Sequence, residues 1–247
     1  MSAIESLVSL ITSSRIVTAF TGAGVSTLSG IQDFRGANGI YAQEDGDKIF
    51  DSRWFANDPS IFYRAAKRLV GSMMRSEPSH VHLLLADMER EGFLEGGVIT
   101  QNIDMLHQKA GSRKVVELHG SPMVSRCTDC SKEYSLEDVL PYVSRGEVPA
   151  CSICSGVIKP DITFFGEELP EGSLAMAFSI SKKTEVMLVL GSTLVVHPAS
   201  MIPVNVLDHG GKLIIVNNMP TPLDDYAAFR FHDLEEFCTD MRERLFG

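Results

Sequence analysis

Apolar positions in this chain follow two rhythms. Short, near-continuous runs rich in Val, Ile and Leu occur at 15–20, 97–100, 114–118, 186–190 and 212–216. Such runs predict strands buried on both faces, as in a parallel sheet covered by helices. Between them the spacing turns helical. Val81, Leu84, Leu85 and Met88 share one stripe, with Ser79 placed to cap its start and Gly92 to end it. Leu234, Phe237, Cys238, Met241 and Leu245 predict a last helix over about 233–245 and put Cys238 in the core. The alternation predicts a doubly wound α/β sheet with ligands at the carboxyl ends of its strands. Two stretches break it, a polar and aromatic one at 36–78 and a cysteine-bearing one at 121–157. They predict a small module inserted into a nucleotide-binding domain made of 1–35, 79–120 and 158–247.

At 247 residues the chain has room for one large domain with such an insertion. Its 44% hydrophobic and 22% charged residues argue against disorder, because burial can offset the ordering entropy. A net charge of −10 argues against a nucleic-acid partner and is compatible with basic peptides. No apolar run reaches the roughly 18 residues of a membrane span. The first six residues, Met1 to Ser6, lack the basic and apolar regions of a secretory signal. A cytoplasmic protein without membrane contact is expected.

Cysteine usage changes the picture. Cys127-x2-Cys130 and Cys151-x2-Cys154 are separated by residues 131–150. Reduced surroundings disfavour disulfides, and two such knuckles fit a tetrahedral zinc site with four thiolates. Four protein ligands leave no position for a water, so the zinc would be structural.

Chemistry also gathers after the first strand, at Thr21-Gly22-Ala23-Gly24-Val25-Ser26. Glycines there allow a pyrophosphate to approach the backbone at a helix start. The usual dinucleotide fingerprint needs a third glycine where Thr27 stands, so the pair leaves a tight structural turn and a phosphate site both open. Asp45 and Asp47, the candidate ribose acids, fall in a charged loop, which disfavours a hydride-transfer dehydrogenase.

The continuation is more specific. It comprises the segment from Gly22 to Gly36 with its Gly-Ile-Gln-Asp-Phe-Arg-Gly loop, Thr100-Gln-Asn-Ile-Asp104, Leu106-His107, His119-Gly120, the two cysteine knuckles, residues 159–167 (Lys-Pro-Asp-Ile-Thr-Phe-Phe-Gly-Glu), residues 191–199 (Gly-Ser-Thr-Leu-Val-Val-His-Pro-Ala), and Ile215-Val-Asn-Asn218. In this order, over nearly the whole chain, the set resembles the sirtuins, NAD-dependent protein deacylases. The resemblance implies a Rossmann-like domain, a small zinc-ribbon and helical module, and a cleft taking NAD and an acylated lysine from opposite sides. It places Gly22, Ala23, Gly24 and Thr27 at the phosphates and Phe34 and Arg35 on a loop over the cofactor. Gln101, Asn102, Ile103 and Asp104 match the nicotinamide and ribose pocket. Gly191, Ser192, Asn217 and Asn218 match later contacts, with Asp233 at the adenine end. Thr163, Phe165 and Gly166, with Val196 opposite, match the edge where a substrate peptide adds as a strand.

His119 is the expected general base. It follows a buried strand, and an unperturbed pKa of about 6.5 suits proton transfer near neutrality. By resemblance the acyl oxygen attacks the nicotinamide ribose, nicotinamide leaves, and His119 activates the ribose 2′-hydroxyl, giving 2′-O-acyl-ADP-ribose. Asn102 and Asp104 would orient the cofactor and a water. His107 is read as an orienting or packing residue, and His80, His82, His209 and His232 as surface or helix-end residues. Three departures from the family pattern stand out: Gln32 for a proline, the swapped order of Ser192 and Thr193, and Thr163 for a valine. None removes a catalytic group. A Tyr-x-x-Arg pair, which marks sirtuins acting on acidic acyl chains, is missing: matching on Pro59 puts Ala66 and Leu69 at its positions, so acetyl is expected over succinyl. The competing readings are a sirtuin-like ADP-ribosyltransferase, which retention of His119 opposes, and an NAD-binding or zinc-ribbon interaction module without activity.

Overall fold

The computed structural model describes residues 2–34, 36, 39–42, 45–170 and 172–247. In chain order its strands are β1 (Val17–Thr21), β2 (Val98–Thr100), β3 (Val115–Glu117), β4 (Gly120–Cys127), β5 (Glu133–Ser135), β6 (Ile158–Ile162), β7 (Val186–Leu190), β8 (Lys212–Val216) and β9 (Ala227–Phe231). The helices are α1 (Ala3–Ser13), α2 (Gly24–Thr27), α3 (Ser52–Asn57), α4 (Ser60–Arg75), α5 (His80–Arg90), α6 (Leu106–Ala110), α7 (Leu136–Arg145), α8 (Ser173–Ser181), α9 (Met201–Asp208) and α10 (Leu234–Phe246). They form two compact units, one of 1–29, 77–118 and 171–247, the other of 30–76 and 119–170.

The first unit holds a sheet of order β3-β2-β1-β7-β8-β9 in which every neighbour runs parallel. That order is the doubly wound, Rossmann-like one, reversing direction between β1 and β7. Successive side chains of a strand point to opposite faces. Val186, Leu188 and Leu190 of β7 therefore join a core with α1, α5 and α10. Met187 and Val189 join a second core with α8 and α9. Both faces are covered, which is why these strands read as unbroken apolar runs. Strand β9 was not foreseen. It is an edge strand whose residues are mostly half-buried and include Arg230, so the doubly buried signature is weak there.

Helix α5 begins and ends as expected, with Ser79 as N-cap and Gly92 in the left-handed region at φ +80°. His82, read as a surface or helix-end residue, does stand in the first turn, where it accepts the Ser79 N–H, but it is fully buried rather than on the surface. It lies against the His107 ring of α6, with 4.6 Å between centroids, so this helix is buried on more than one stripe. Asp233 caps α10, accepting the N–H groups of Glu235 and Glu236. Cys238 sits in the first core. Among the described residues no helix is long and apolar enough to cross a membrane.

The second unit contains the antiparallel sheet β5-β4-β6 with α3, α4 and α7. Because β6 pairs with β4, residues 158–170 lie here, although the sequence groups them with the large sheet. Strand β6 reads Ile-Lys-Pro-Asp-Ile, too polar to announce itself as a strand. An aromatic cluster fills the middle of the unit. Phe164 packs edge-on against Phe50 and Phe55, and Phe62 against Tyr63 and Phe55. The Tyr63 hydroxyl donates to the Ile158 carbonyl, tying α4 to β6.

Candidate active site

In the first unit the expected cofactor residues gather at the carboxyl ends of the strands. Gly22 follows β1, Gln101 to Asp104 follow β2, Gly191 and Ser192 follow β7, and Asn217 and Asn218 follow β8. The glycines meet one another. A Cβ on Gly22 would stand 2.8 Å from the Gly191 carbonyl oxygen, and one on Gly24 2.7 Å from the Gly191 Cα. Gly191 itself has φ +61°. The N–H groups of Gly22 and Gly24 donate to the carbonyls of Leu190 and Gly191. Close approach of the β1 and β7 turns thus demands glycine at all three positions. Thr27 is exposed, its hydroxyl donating to the Gly24 carbonyl.

The Gln101–Asp104 segment is fixed by a polar network. Asn102 is buried and donates its side-chain amide to the Gly22 carbonyl at 3.1 Å and to Ser26 Oγ at 3.0 Å. Ser26 donates in turn to Asp104 Oδ2 at 2.6 Å. Asp104 Oδ1 accepts the Leu106 N–H at 2.9 Å, capping α6 after Met105, whose φ is +62°. Gln101 donates to Ser192 Oγ at 2.9 Å, linking the β2 and β7 ends. Ile103 is half-buried, Asn217 buried and Asn218 exposed. Ser26 was absent from the sequence-derived set. Its signal was present, as the hydroxyl residue two positions past the second glycine, but nothing local tied it to a carboxylate 78 residues on.

Behind this network lie His82 and His107. His107 Nε2 meets Thr21 Oγ1 at 2.9 Å, and His82 Nδ1 accepts the Ser79 N–H at 3.1 Å. Burial pushes His82 down to about 4, with Asp104 opposing the shift. Burial, with His82 alongside, holds His107 well below its ordinary value.

The remaining expected residues divide between the units. His119 is half-buried in the turn after β3, and its carbonyl accepts the Thr163 N–H at 2.8 Å. Phe34 packs against Tyr41 and Phe50. Arg35 lies outside the described residues. Val196 is half-buried in the first unit. Phe164 is 1% exposed and Phe165 44%, so adjacent rings serve opposite faces. Phe165 donates its N–H to the Phe50 carbonyl at 2.7 Å and accepts from Ser52 N–H at 3.1 Å. The expected peptide edge is therefore engaged from within at Thr163 and Phe165. Gly166 follows at φ +90°, where a Cβ would lie 2.8 Å from Ser52 Oγ.

Cys127, Cys130, Cys151 and Cys154 form the one group of potential metal ligands among the described residues, with all four sulfurs within 4.8 Å of one another. Tetrahedral zinc with bonds of about 2.3 Å sets sulfurs about 3.8 Å apart. The Cys127–Cys154 and Cys130–Cys151 pairs, at 3.4 and 3.6 Å, fit that size. The Tyr134 hydroxyl donates to Cys151 Sγ at 3.1 Å and is the main cause pulling that thiol down to about 6. The donor set suits a structural zinc.

Residues 22–198 match the Sir2 family. The chain is 46% identical over 235 residues to the NAD-dependent protein deacetylase of Thermotoga maritima, covering 95% of each protein. It is 41% identical over 211 residues to the NAD-dependent protein deacylase of Thermococcus kodakarensis, covering 84% of this chain and 82% of that one. A solved Sir2 with p53 peptide and NAD+ matches with a TM-score of 0.90 at 43% identity, over 98% of each chain. Sir2Tm bound to a propionylated peptide matches at 0.89 and 42%, over 98% of each.

Proposed function

Because the chain belongs to the Sir2 family, we propose that it removes acyl groups from protein lysines with NAD as co-substrate, releasing nicotinamide and 2′-O-acyl-ADP-ribose. The observation that carries this reading is the locking of Asn102 and Asp104 to Ser26 at the carboxyl ends of a sheet whose order reverses there. A dinucleotide belongs at such a switch point. NAD brings a ribose carbon bonded to a positively charged nicotinamide, so no strong protein nucleophile is required.

The chain's residues have narrower tasks. With both amide hydrogens donated inside the protein, Asn102 turns its Oδ1 to the ligand as an acceptor. Asp104, held through both carboxylate oxygens, keeps its charge in one place. Gln101 and Ile103 complete that pocket. Gly22, Ala23, Gly24 and Thr27 take the phosphates, Phe34 and Arg35 serve as further cofactor contacts, and Gly191, Ser192, Asn217, Asn218 and Asp233 take the rest of the nucleotide. His119 takes the proton of the ribose 2′-hydroxyl. Thr163, Phe165, Gly166 and Val196 hold the peptide.

The acyl preference is for acetyl over succinyl. Ala66 is buried on α4, whereas Arg64, Lys67 and Arg68 all lie on its exposed face. The Tyr63 hydroxyl is committed to the Ile158 carbonyl. These placements support a pocket without a partner for a distal carboxylate. Incubation with an acetyl-lysine peptide, with and without NAD, tests the function by mass spectrometry. Free-lysine peptide and O-acetyl-ADP-ribose should form only with NAD, and their absence overturns the reading.

A further inference from the structure

Lys159, the second residue of β6, and Glu167, beyond the end of that strand, flank the peptide-holding residues. Lys159 Nζ donates to Glu167 Oε2 at 3.0 Å and to the Ile162 carbonyl at 2.9 Å. It also stands 4.2 Å from the centre of the Phe164 ring. The same Glu167 Oε2 accepts the Phe164 N–H at 2.8 Å, and the Glu167 N–H returns to the Phe164 carbonyl at 3.0 Å. The pair is only 18% and 32% exposed at its side chains, so solvent screens it less than a surface pair. One ion pair thus fixes both ends of the segment and also grips the Phe164 backbone and ring within it.

The turn between these residues carries Phe165 and Gly166. Its backbone is bent at Gly166 and bridged to Phe50 and Ser52. Without the Lys159 and Glu167 contacts, the Phe164 N–H and the Ile162 carbonyl lose charge-assisted partners. Only backbone bonds would then hold the turn: the Phe165 bridge, the Thr163 N–H to the His119 carbonyl and the Glu167 N–H to the Phe164 carbonyl.

We propose that Lys159 and Glu167 form a positioning clamp that fixes the turn presenting Gly166, beyond the internally bonded Phe165, to the main chain of a substrate peptide, and so set peptide affinity without touching the acyl group. The inference rests on the deacylase reading above. Its ligand is the main chain of an acyl-lysine peptide.

The experiment compares wild type with Glu167→Ala, Glu167→Gln, Lys159→Met and the Lys159→Met/Glu167→Ala double variant. Steady-state kinetics with one acetyl-lysine peptide are joined to hydrogen exchange across 163–167. Glu167→Ala and Lys159→Met should each raise the peptide KM about tenfold, the size of one lost charge-assisted bond. The KM for NAD should stay unchanged and kcat should change less than twofold. The double variant should be no worse than either single one, because both remove the same clamp. Glu167→Gln keeps an acceptor for the Phe164 N–H and should recover part of the loss. Exchange at the Phe164 amide should quicken in Glu167→Ala. Unchanged peptide KM in an active enzyme overturns the clamp, as does an equal rise in both KM values with a lowered melting temperature, which a merely structural pair would give. Should wild type show no NAD-dependent turnover, the deacylase reading falls, and unaltered exchange at Phe164 would then remove the clamp as well.

Discussion

Ser26 and Asp104 are joined by a 2.6 Å hydrogen bond at the point where Asn102 also meets the serine. One hydroxyl thus orients an amide and a carboxylate together. Ser26→Ala leaves the carboxylate short of one donor and Asn102 short of one acceptor. A lost bond to a charged group costs about 1.5–3 kcal/mol, or roughly 10–100-fold in kcat/KM. Steady-state kinetics with circular dichroism check this, and full activity would show that Asn102 and Asp104 hold their places unaided.

His119→Ala should abolish deacylation while NAD still binds. Loss of general-base work lowers the rate by about 10²–10⁴. Calorimetric NAD binding alongside turnover separates the two roles. Near wild-type turnover would clear His119 of the assigned task.

Stability should fall on mild acidification. His82 titrates near 6.5 when unfolded but is pushed by burial to about 4 in the fold, and His107 shifts in the same direction. Between those values the unfolded chain binds more protons than the native one. Stability is therefore complete above about pH 6.5 and declines towards pH 4, by about 2 kcal/mol at pH 5 for His82 alone. Urea midpoints at pH 7.5 and 5, in wild type and His82→Gln, measure it. The variant should show the flatter dependence, and parallel losses would rule His82 out as the cause.

Zinc should be present at one ion per chain. Chelation or Cys151→Ala should lower the melting temperature and loosen residues 119–170, since metal-ligand free energy becomes folding free energy in such sites. Elemental analysis and differential scanning calorimetry provide the readout. A zinc-free protein with unchanged melting would contradict the assignment.

Acetyl-lysine should outperform succinyl-lysine in kcat/KM on one peptide sequence. A carboxylate buried without a partner costs several kcal/mol, whereas an acetyl methyl does not. Equal use of the succinyl peptide would mean that a basic side chain of α4 turns inward.

Legibility in the sequence followed burial. Strands β1, β2, β7 and β8 are buried on both faces and announce themselves as apolar runs, and the half-buried edge strand β3 is marked by its two valines, whereas β9 and β6 carry Arg230, Lys159 and Asp161 and are not so marked. Helix α5 was legible through Ser79 and Gly92, yet His82 misled because a polar residue one position off the apolar stripe normally faces solvent. Its burial depends on His107, which the chain supplies from another helix. The four cysteines were readable because metal ligation imposes spacing on the chain itself. Ser26 was not, since hydrogen bonds across 78 residues leave no local trace.

The pairing of β1 with both β2 and β7 also governs how the molecule comes into being. Val17 of β1 lies opposite Val186 of β7, so one side of the central strand has no partner until the chain has been made past residue 190. During synthesis that side is an exposed edge of residues that are all buried in the finished fold, a template for pairing with another chain. The whole of 30–76 and 119–170 must emerge inside the loop before it closes. Long-range parallel pairing of this kind folds slowly and favours aggregation at high concentration. The strand on which the finished sheet is centred thus keeps one open edge from translation of β1 until β7 arrives.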